Sequence, residues 1–187
     1  MLLWQDRLFG KRTEKMPPAQ ARETSNKFYQ KVVNRIDYPA ISMTQVTDML
    51  IPMRDKHQIK VRIYKPSNKP GLPVIVYFHG GGFVVYNLES HDRVCRRIAK
   101  TTESIVVSVD YRLAPEFKFP VAAEDCYDSL SWTFANVDSF GGDLSNISVA
   151  GDSAGGNLAT VVCLMSKEYS GPEIRSQILI YPTVDAT

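Results

Sequence analysis

Histidine is scarce in this sequence and stops early: the 187 residues hold three, His57, His79 and His91, and none follows residue 91. A nucleophile in the second half of the chain would therefore need its base from one of these three, or from another polypeptide segment. Cysteine is equally thin. Cys95, Cys126 and Cys163 are odd in number and lack any C-x-x-C or Cys/His spacing, which excludes a recognisable zinc site or disulfide framework. A reducing, cytoplasmic setting is the expectation. No apolar run approaches the eighteen or so residues of a membrane span, and the opening MLLWQDRLFGKR is too short in apolar residues for a signal peptide, so no membrane anchoring is expected. Neither sign of charge dominates, at a formal +2. The first seventy residues carry 14 Lys+Arg against 6 Asp+Glu and the rest 8 against 14, but the basic residues are scattered, without interleaved aromatics or a reading motif. They describe a solvated helical face, and nucleic acid is not an expected partner.

What is present is a 44% hydrophobic composition, enough for one sizeable core, with no internal repeat and no low-complexity tract. Residues 19–36 place Ser25, Phe28, Tyr29, Val32, Val33 and Ile36 at three-and-four spacing, predicting an amphipathic helix that must cover something. TQVTDMLIP and QIKVRIYKP alternate as two strands of a hairpin joined by MRDKH, and a Pro/Gly loop then delivers the chain into VIVYF, a run typical of a strand covered on both faces. From there helices and strands alternate: SHDRVCRRIAKTT with Ser90 as its cap, SIVVSVD, PVAAEDCYDSLSWTFANV, NISVAG, GGNLATVVCLMSKEY and SQILIYPTV. The order predicts an α/β protein with a mostly parallel sheet and helices on both faces.

Two glycine-rich stretches carry chemistry. GDSAG, Gly151 to Gly155, fits G-x-S-x-G and lies between a predicted strand and a predicted helix. There the turn is so sharp that Ser153 takes strained backbone geometry, while Gly151 and Gly155 lack the bulk that would keep strand and helix apart. A helix opening at that point aims its N–H groups at negative charge developing near Ser153. FHGGGF, Phe78 to Phe83, follows the buried strand directly. Three consecutive glycines suit a main chain that must approach a ligand closely or expose its amides. The amides of Gly81 and Gly82, joined by that of Ala154, are candidates for an oxyanion hole; a phosphate-cradling loop would want a G-K-[ST] or G-x-G-x-x-G continuation, which GGGFVVYN does not offer.

HGGGF, SVDYRLAPE, FPVAAEDC and VAGDSAGGNLA, in this order and spacing from about Thr44 to Asp185, resemble the hormone-sensitive-lipase-like branch of the α/β-hydrolase esterases. The resemblance implies Ser153 as nucleophile, Gly81, Gly82 and Ala154 as oxyanion hole, and His79, Gly80, Gly151, Asp152 and Gly155 as support for loop and elbow. It makes Glu124 and Asp125 scaffold, and residues 1–43 cap helices and a linker over an α/β-hydrolase core at 44–187. It implies a small-molecule ester substrate, no cofactor or metal, and a homodimer in a full-length form.

In this fold the triad runs serine, acid, histidine along the chain. Here the sequence stops one strand past Ser153, so the expectation is an amino-terminal portion of an esterase, from a truncated reading frame or split gene, impaired on its own and leaving an apolar strand edge uncovered. His79 reads as an organiser of the glycine loop, and His57 and His91 as solvated. Asp152 and Asp185 adjoin the relevant elements, but an acid without an imidazole does not activate serine. Two rivals follow: a non-catalytic binding protein on an esterase scaffold, as the similar gibberellin receptors illustrate, or one chain of a two-chain esterase.

Overall fold

A computed structural model describes residues 16–29 and 39–185. An early helix, α1 (Pro18–Phe28), precedes a hairpin of β1 (Gln45–Pro52) and β2 (Gln58–Lys65). Then come β3 (Leu72–Phe78), α2 (Leu88–Thr102), β4 (Ile105–Val109), α3 (Val121–Asn136) with a 3₁₀ turn at Val137–Phe140, β5 (Gly142–Asp152), α4 (Ala154–Glu168) and β6 (Gln177–Ile180). The part of the predicted early helix beyond Tyr29 lies outside the described residues.

The six strands form one sheet in the order β1-β2-β4-β3-β5-β6. The β1–β2 and β2–β4 pairs are antiparallel; β4–β3, β3–β5 and β5–β6 are parallel. Strand alternation divides the core cleanly. Val74, Val76 and Phe78 of β3, with Val107, Val109 and Val149, pack against Cys126 and Leu130 of α3 and Leu158 and Val162 of α4. Ile75 and Tyr77, with Val106 and Ala150, face Cys95 and Ala99 of α2 on the other side. A central strand buried on both faces thus reads as an unbroken apolar run, because neither set of alternate side chains meets water.

α2 starts one turn earlier than predicted. Asn87, not Ser90, is its N-cap: Asn87 Oδ1 accepts from the Ser90 amide at 3.2 Å while Ser90 Oγ accepts from the Asn87 amide at 3.0 Å, a reciprocal capping box with serine at its far end. β5 also begins four residues before the predicted stretch, pairing Gly142 with Leu72 across a register shift. β6 lies at the sheet edge and leaves Ile178 and Leu179 about two-fifths exposed, at 42% and 37%. Among the described residues no helix is long and apolar enough to cross a membrane.

The candidate active site

β5 ends at Asp152 and α4 begins at Ala154, so Ser153 alone makes the reversal, at φ 51° and ψ −116°. Positive φ in a residue with a Cβ costs on the order of 1–3 kcal/mol and persists only where the surroundings hold it. They do. The Ser153 amide donates to Ile180 O at 3.0 Å, and its carbonyl accepts from the amides of Asn157 and Thr183, both at 3.1 Å. Asn157 Nδ2 also donates to Thr183 O at 2.8 Å, tying the first turn of α4 to the chain after β6. The flanking residues are buried while Ser153 remains half-exposed. Gly151 and Gly155 permit this approach: a Cβ on Gly155 would strike Phe78 O and one on Gly151 would strike the Gly155 carbonyl group.

The glycine loop begins where β3 stops, one strand away from the elbow. Asp152 joins the two: its Oδ1 accepts from the Gly80 amide at 2.9 Å and from the Tyr77 hydroxyl at 2.7 Å. Gly81 and Gly82 turn the chain at φ 123° and 60°, and Gly81 O accepts from the amides of Val84 and Val85 at 3.1 and 3.0 Å. Among the described residues the amides of Gly81, Gly82 and Ala154 donate to no protein acceptor. For Ala154 the reason is position: it is the first residue of a helix, where N–H groups have no intrahelical partner.

Two histidines lie behind this loop. His79 is completely buried, stacked on Tyr111 with centroids 4.4 Å apart, and its Nδ1–H donates to Gly80 O at 2.7 Å. Burial, reinforced by the proximity of His91, lowers its pKa to about 3, so it is neutral. The Tyr111 hydroxyl donates to the His79 carbonyl at 2.6 Å, holding the start of the loop from below. His91 departs from expectation. It is buried rather than solvated, with Nδ1 2.9 Å from Ser90 Oγ and Nε2 3.2 Å from Asp152 Oδ1. Leu88, His91, Cys95 and Ala99 share the inward face of α2, a three-and-four spacing that was legible in the sequence and that a histidine next to a charged run disguised. Burial pushes the Asp152 carboxyl up; His91, Tyr77 and the Gly80 amide outweigh it and hold the carboxyl below its usual range. His57, by contrast, is exposed in the β1–β2 turn, near Phe117.

An apolar hollow of about 310 Å³ adjoins the loop, lined by Gly82, Phe83, Phe117, Phe119, Leu158 and Val161 among others. A larger one, about 490 Å³, lies at the far end of α4 around Cys163, Lys167 and Gln177, roughly 15–20 Å along the helix from Ser153 at 1.5 Å per residue. Its position separates it from the elbow. α1 reaches the site region through Arg22, whose Nε donates to Val84 O at 2.7 Å and whose Nη2 donates to Ala114 O and Glu116 Oε2, each at 2.8 Å. This contact gave no signal in the sequence, because its acceptors are main-chain carbonyls 62 and 92 residues away. Among the described residues no group of three or more His, Cys, Asp or Glu is placed to hold a metal ion.

A parallel-sheet core with a strained serine between strand and helix, and a glycine loop hydrogen-bonded beside it, defines the α/β-hydrolase class. Residues 75–187 match the family model described as the alpha/beta hydrolase fold. The chain is 46% identical over 129 residues to carboxylesterase NlhH of Mycobacterium tuberculosis, covering 68% of this chain and 40% of that protein. Against the ethyl acetate hydrolase of Pseudomonas putida it is 38% identical over 148 residues, 76% of this chain and 46% of that one. A hyperthermophilic esterase from Pyrobaculum calidifontis superposes with a TM-score of 0.88 at 43% identity, over 98% of this chain and 57% of the other. The chain belongs to the α/β-hydrolase family, in its hormone-sensitive-lipase-like esterase branch. It spans less than half the length of the two curated relatives.

Proposed function

We propose that this chain carries the nucleophile and the oxyanion donors of a serine carboxylesterase acting on small neutral esters. Ser153 Oγ attacks the ester carbonyl, and the amides of Gly81, Gly82 and Ala154 receive the oxygen of the tetrahedral intermediate. Collapse expels the alcohol and leaves an acyl-enzyme that water hydrolyses. Loss of one such donor typically slows turnover about a hundred- to a thousandfold. The apolar hollow beside Gly82 suits an uncharged substituent of the ester. The observation that carries this reading is the half-exposed serine held at positive φ on the helix terminus, beside amides that the described residues leave without an acceptor.

The base is none of the three histidines. His79 and His91 are engaged with Gly80, Ser90 and Asp152, and His57 sits in the hairpin turn. We assign the acid and the histidine to sequence outside these 187 residues, in the same polypeptide or a second one. The residual rate without them is that of the oxyanion hole and binding, roughly 10³ to 10⁴ over water. The test is hydrolysis of a chromogenic short-chain ester by the 187-residue chain, alone and with a polypeptide matching the carboxy-terminal part of an esterase relative. Addition of that polypeptide is expected to raise turnover by orders of magnitude, and Ser153→Ala to abolish the rise. Ordinary esterase turnover by the chain alone, unaffected by Ser153→Ala, would overturn the assignment.

A further inference from the structure

The glycine loop carries strain beyond its glycines. Phe83 and Tyr86 both take positive φ, 62° and 75°, although each has a Cβ. Such backbone persists only where the surroundings hold it. Within the loop the bonds are local: the Val84 and Val85 amides donate to Gly81 O at 3.1 and 3.0 Å. A main-chain bond, from the Ala114 amide to Phe83 O at 2.9 Å, ties the loop to the segment after β4. These two segments are also the lips of the apolar hollow, with Gly82 and Phe83 on one side and Ala114 and Phe117 on the other. Val84 follows the first strained residue, and its carbonyl is taken by a side chain from a third element, Arg22 of α1.

We infer that Arg22 is a positioning residue for the glycine loop: its guanidinium, planted on α1, clamps the loop to the opposite lip of the hollow. Nε donates to Val84 O at 2.7 Å, and Nη2 donates to Ala114 O and to Glu116 Oε2, each at 2.8 Å. Nη1 completes the fork on Glu116 Oε1 at 3.3 Å. The contact is more than an ion pair that fastens a helix. The Glu116 side chain is 47% exposed, and an exposed pair of this kind contributes little by itself. The two carbonyl bonds are part-buried and charge-assisted, so they are the stronger and the more directional. A lysine would not reproduce them, because its point charge lacks the rigid planar fork. Holding Val84 O fixes the residue whose amide grips Gly81 O. Gly81 O and the Gly82 N–H belong to one planar trans peptide and point opposite ways, so tying the carbonyl inward aims the Gly82 amide out of the turn. That this amide serves as an oxyanion donor rests on the esterase reading; the clamp itself does not.

Residue-resolved amide exchange in the full 187-residue chain at pH 7 tests the clamp without recourse to activity. In Arg22→Ala the Val84, Val85 and Ala114 amides are expected to exchange about tenfold faster or more, the scale of a lost hydrogen bond. Amides of β3 and β5 in the same spectra should keep their protection and report an intact fold. Arg22→Lys, which keeps the charge and loses the fork, should leave the loop exchanging fast. Glu116→Gln, which removes the ion pair and leaves both carbonyls bonded, should hold loop protection within about twofold. Faster exchange confined to α1 in Arg22→Ala would show a helix anchor only and overturn the proposal. So would full loop protection in Arg22→Lys, or a loop as exposed in Glu116→Gln as in Arg22→Ala. If Arg22→Ala does not fold, Arg22→Lys and Glu116→Gln still decide. In the two-polypeptide hydrolysis assay Arg22→Ala should lower kcat about tenfold with KM little changed, because an oxyanion donor acts in the transition state. An unchanged kcat beside a loosened loop would count against the oxyanion reading and leave the clamp standing.

Discussion

Replacing Gly155 by alanine tests the physical basis of the elbow. The added Cβ would overlap Phe78 O and sit 2.6 Å from Phe78 C and 2.7 Å from His79 O. All three are main-chain atoms of the β3 end, which is paired on both sides, to Val109 and to Gly151, so no flexible side chain can swing away. Ordinary carbon contacts lie near 3.5–4.0 Å, so relieving the closest overlap, with Phe78 O, would require α4 and β3 to separate by roughly 1.5 Å. Overpacking of this kind costs about 1–3 kcal/mol, and the rigidity of both partners puts it at the upper end. With a urea m-value of about 2 kcal/mol/M, a loss of about 3 kcal/mol lowers the unfolding midpoint by roughly 1.5 M. The melting temperature should fall by about 6–12 °C. Gly71→Ala is the control: its φ of +65° imposes backbone strain, but a Cβ there meets nothing within 4 Å. It should cost about 1 kcal/mol, from the left-handed backbone alone. If Gly155→Ala were no more damaging than Gly71→Ala in paired urea titrations with equal m-values, close strand–helix approach would not be what the glycine provides.

Asp125 is fully buried and takes the Arg112 guanidinium at 2.6 and 2.9 Å and the Arg112 amide at 3.0 Å. Asp125→Ala leaves Arg112 its Asp55 partner but strips the other guanidinium donors and the Arg112 amide of their acceptor, and should cost about 1–3 kcal/mol in urea unfolding; a loss indistinguishable from zero would refute the scaffold role. His79 makes stability pH-dependent in a defined direction. Its folded pKa of about 3 lies below the unfolded 6.5, so the unfolded chain binds more protons between those values and stability falls as pH falls below 6.5. From pH 6.5 to 5 the loss assigned to His79 is roughly 1.5–2 kcal/mol, and His79→Asn should remove that part of the slope; equal slopes in the two proteins would exclude it. Arg22→Ala should speed amide exchange across α1 while β3 and β5 keep their protection, because Arg22 bonds reach Val84 and Ala114 and no strand. Unchanged exchange in α1 would mean that the helix is held by other contacts.

The two stretches read from glycine spacing, GDSAG and HGGGF, were legible because glycine requirements are local: a sharp reversal or a close backbone approach shows in five residues. The strands β3 and β4 were legible because double-sided burial leaves an unbroken apolar run. Partnerships across the sheet were not. Tyr77 reads as one more core aromatic, and only the parallel register of β3 beside β5, Phe78 opposite Gly151, brings its hydroxyl to Asp152. His91 failed as a sequence prediction for the same reason. Periodicity assigns a side chain to a face of α2, but the carboxylate that makes this face tolerable to histidine lies 61 residues on. Ser90 reads as a cap because serine is a favoured N-cap residue, whereas here it stands at the third helical position, usually held by Glu or Gln, and Asn87 is the cap.

The buried polar groups divide by charge in a way that bears on how a reacting oxyanion would be held. Around Asp152 the donors come from Tyr77 and Gly80 with the His91 ring facing the same carboxylate, and all of them lie on the side of the loop away from water. Gly80 spends its amide inward on that carboxylate, whereas Gly81 and Gly82 lie toward the surface and keep theirs free among the described residues. A negative charge fixed behind the loop would by itself oppose a second one in front. Donors from Tyr77, Gly80 and the facing His91 ring hold that carboxylate from the inside while it retains its grip on Gly80. An Asp152→Asn variant would remove the charge and keep an acceptor for the Gly80 amide, so urea unfolding should show a small loss. An Asp152→Ala variant would leave the Gly80 amide and the Tyr77 hydroxyl without their acceptor, and it should be the more damaging of the two; equal losses would mean that the carboxylate's hydrogen bonds do not hold the loop.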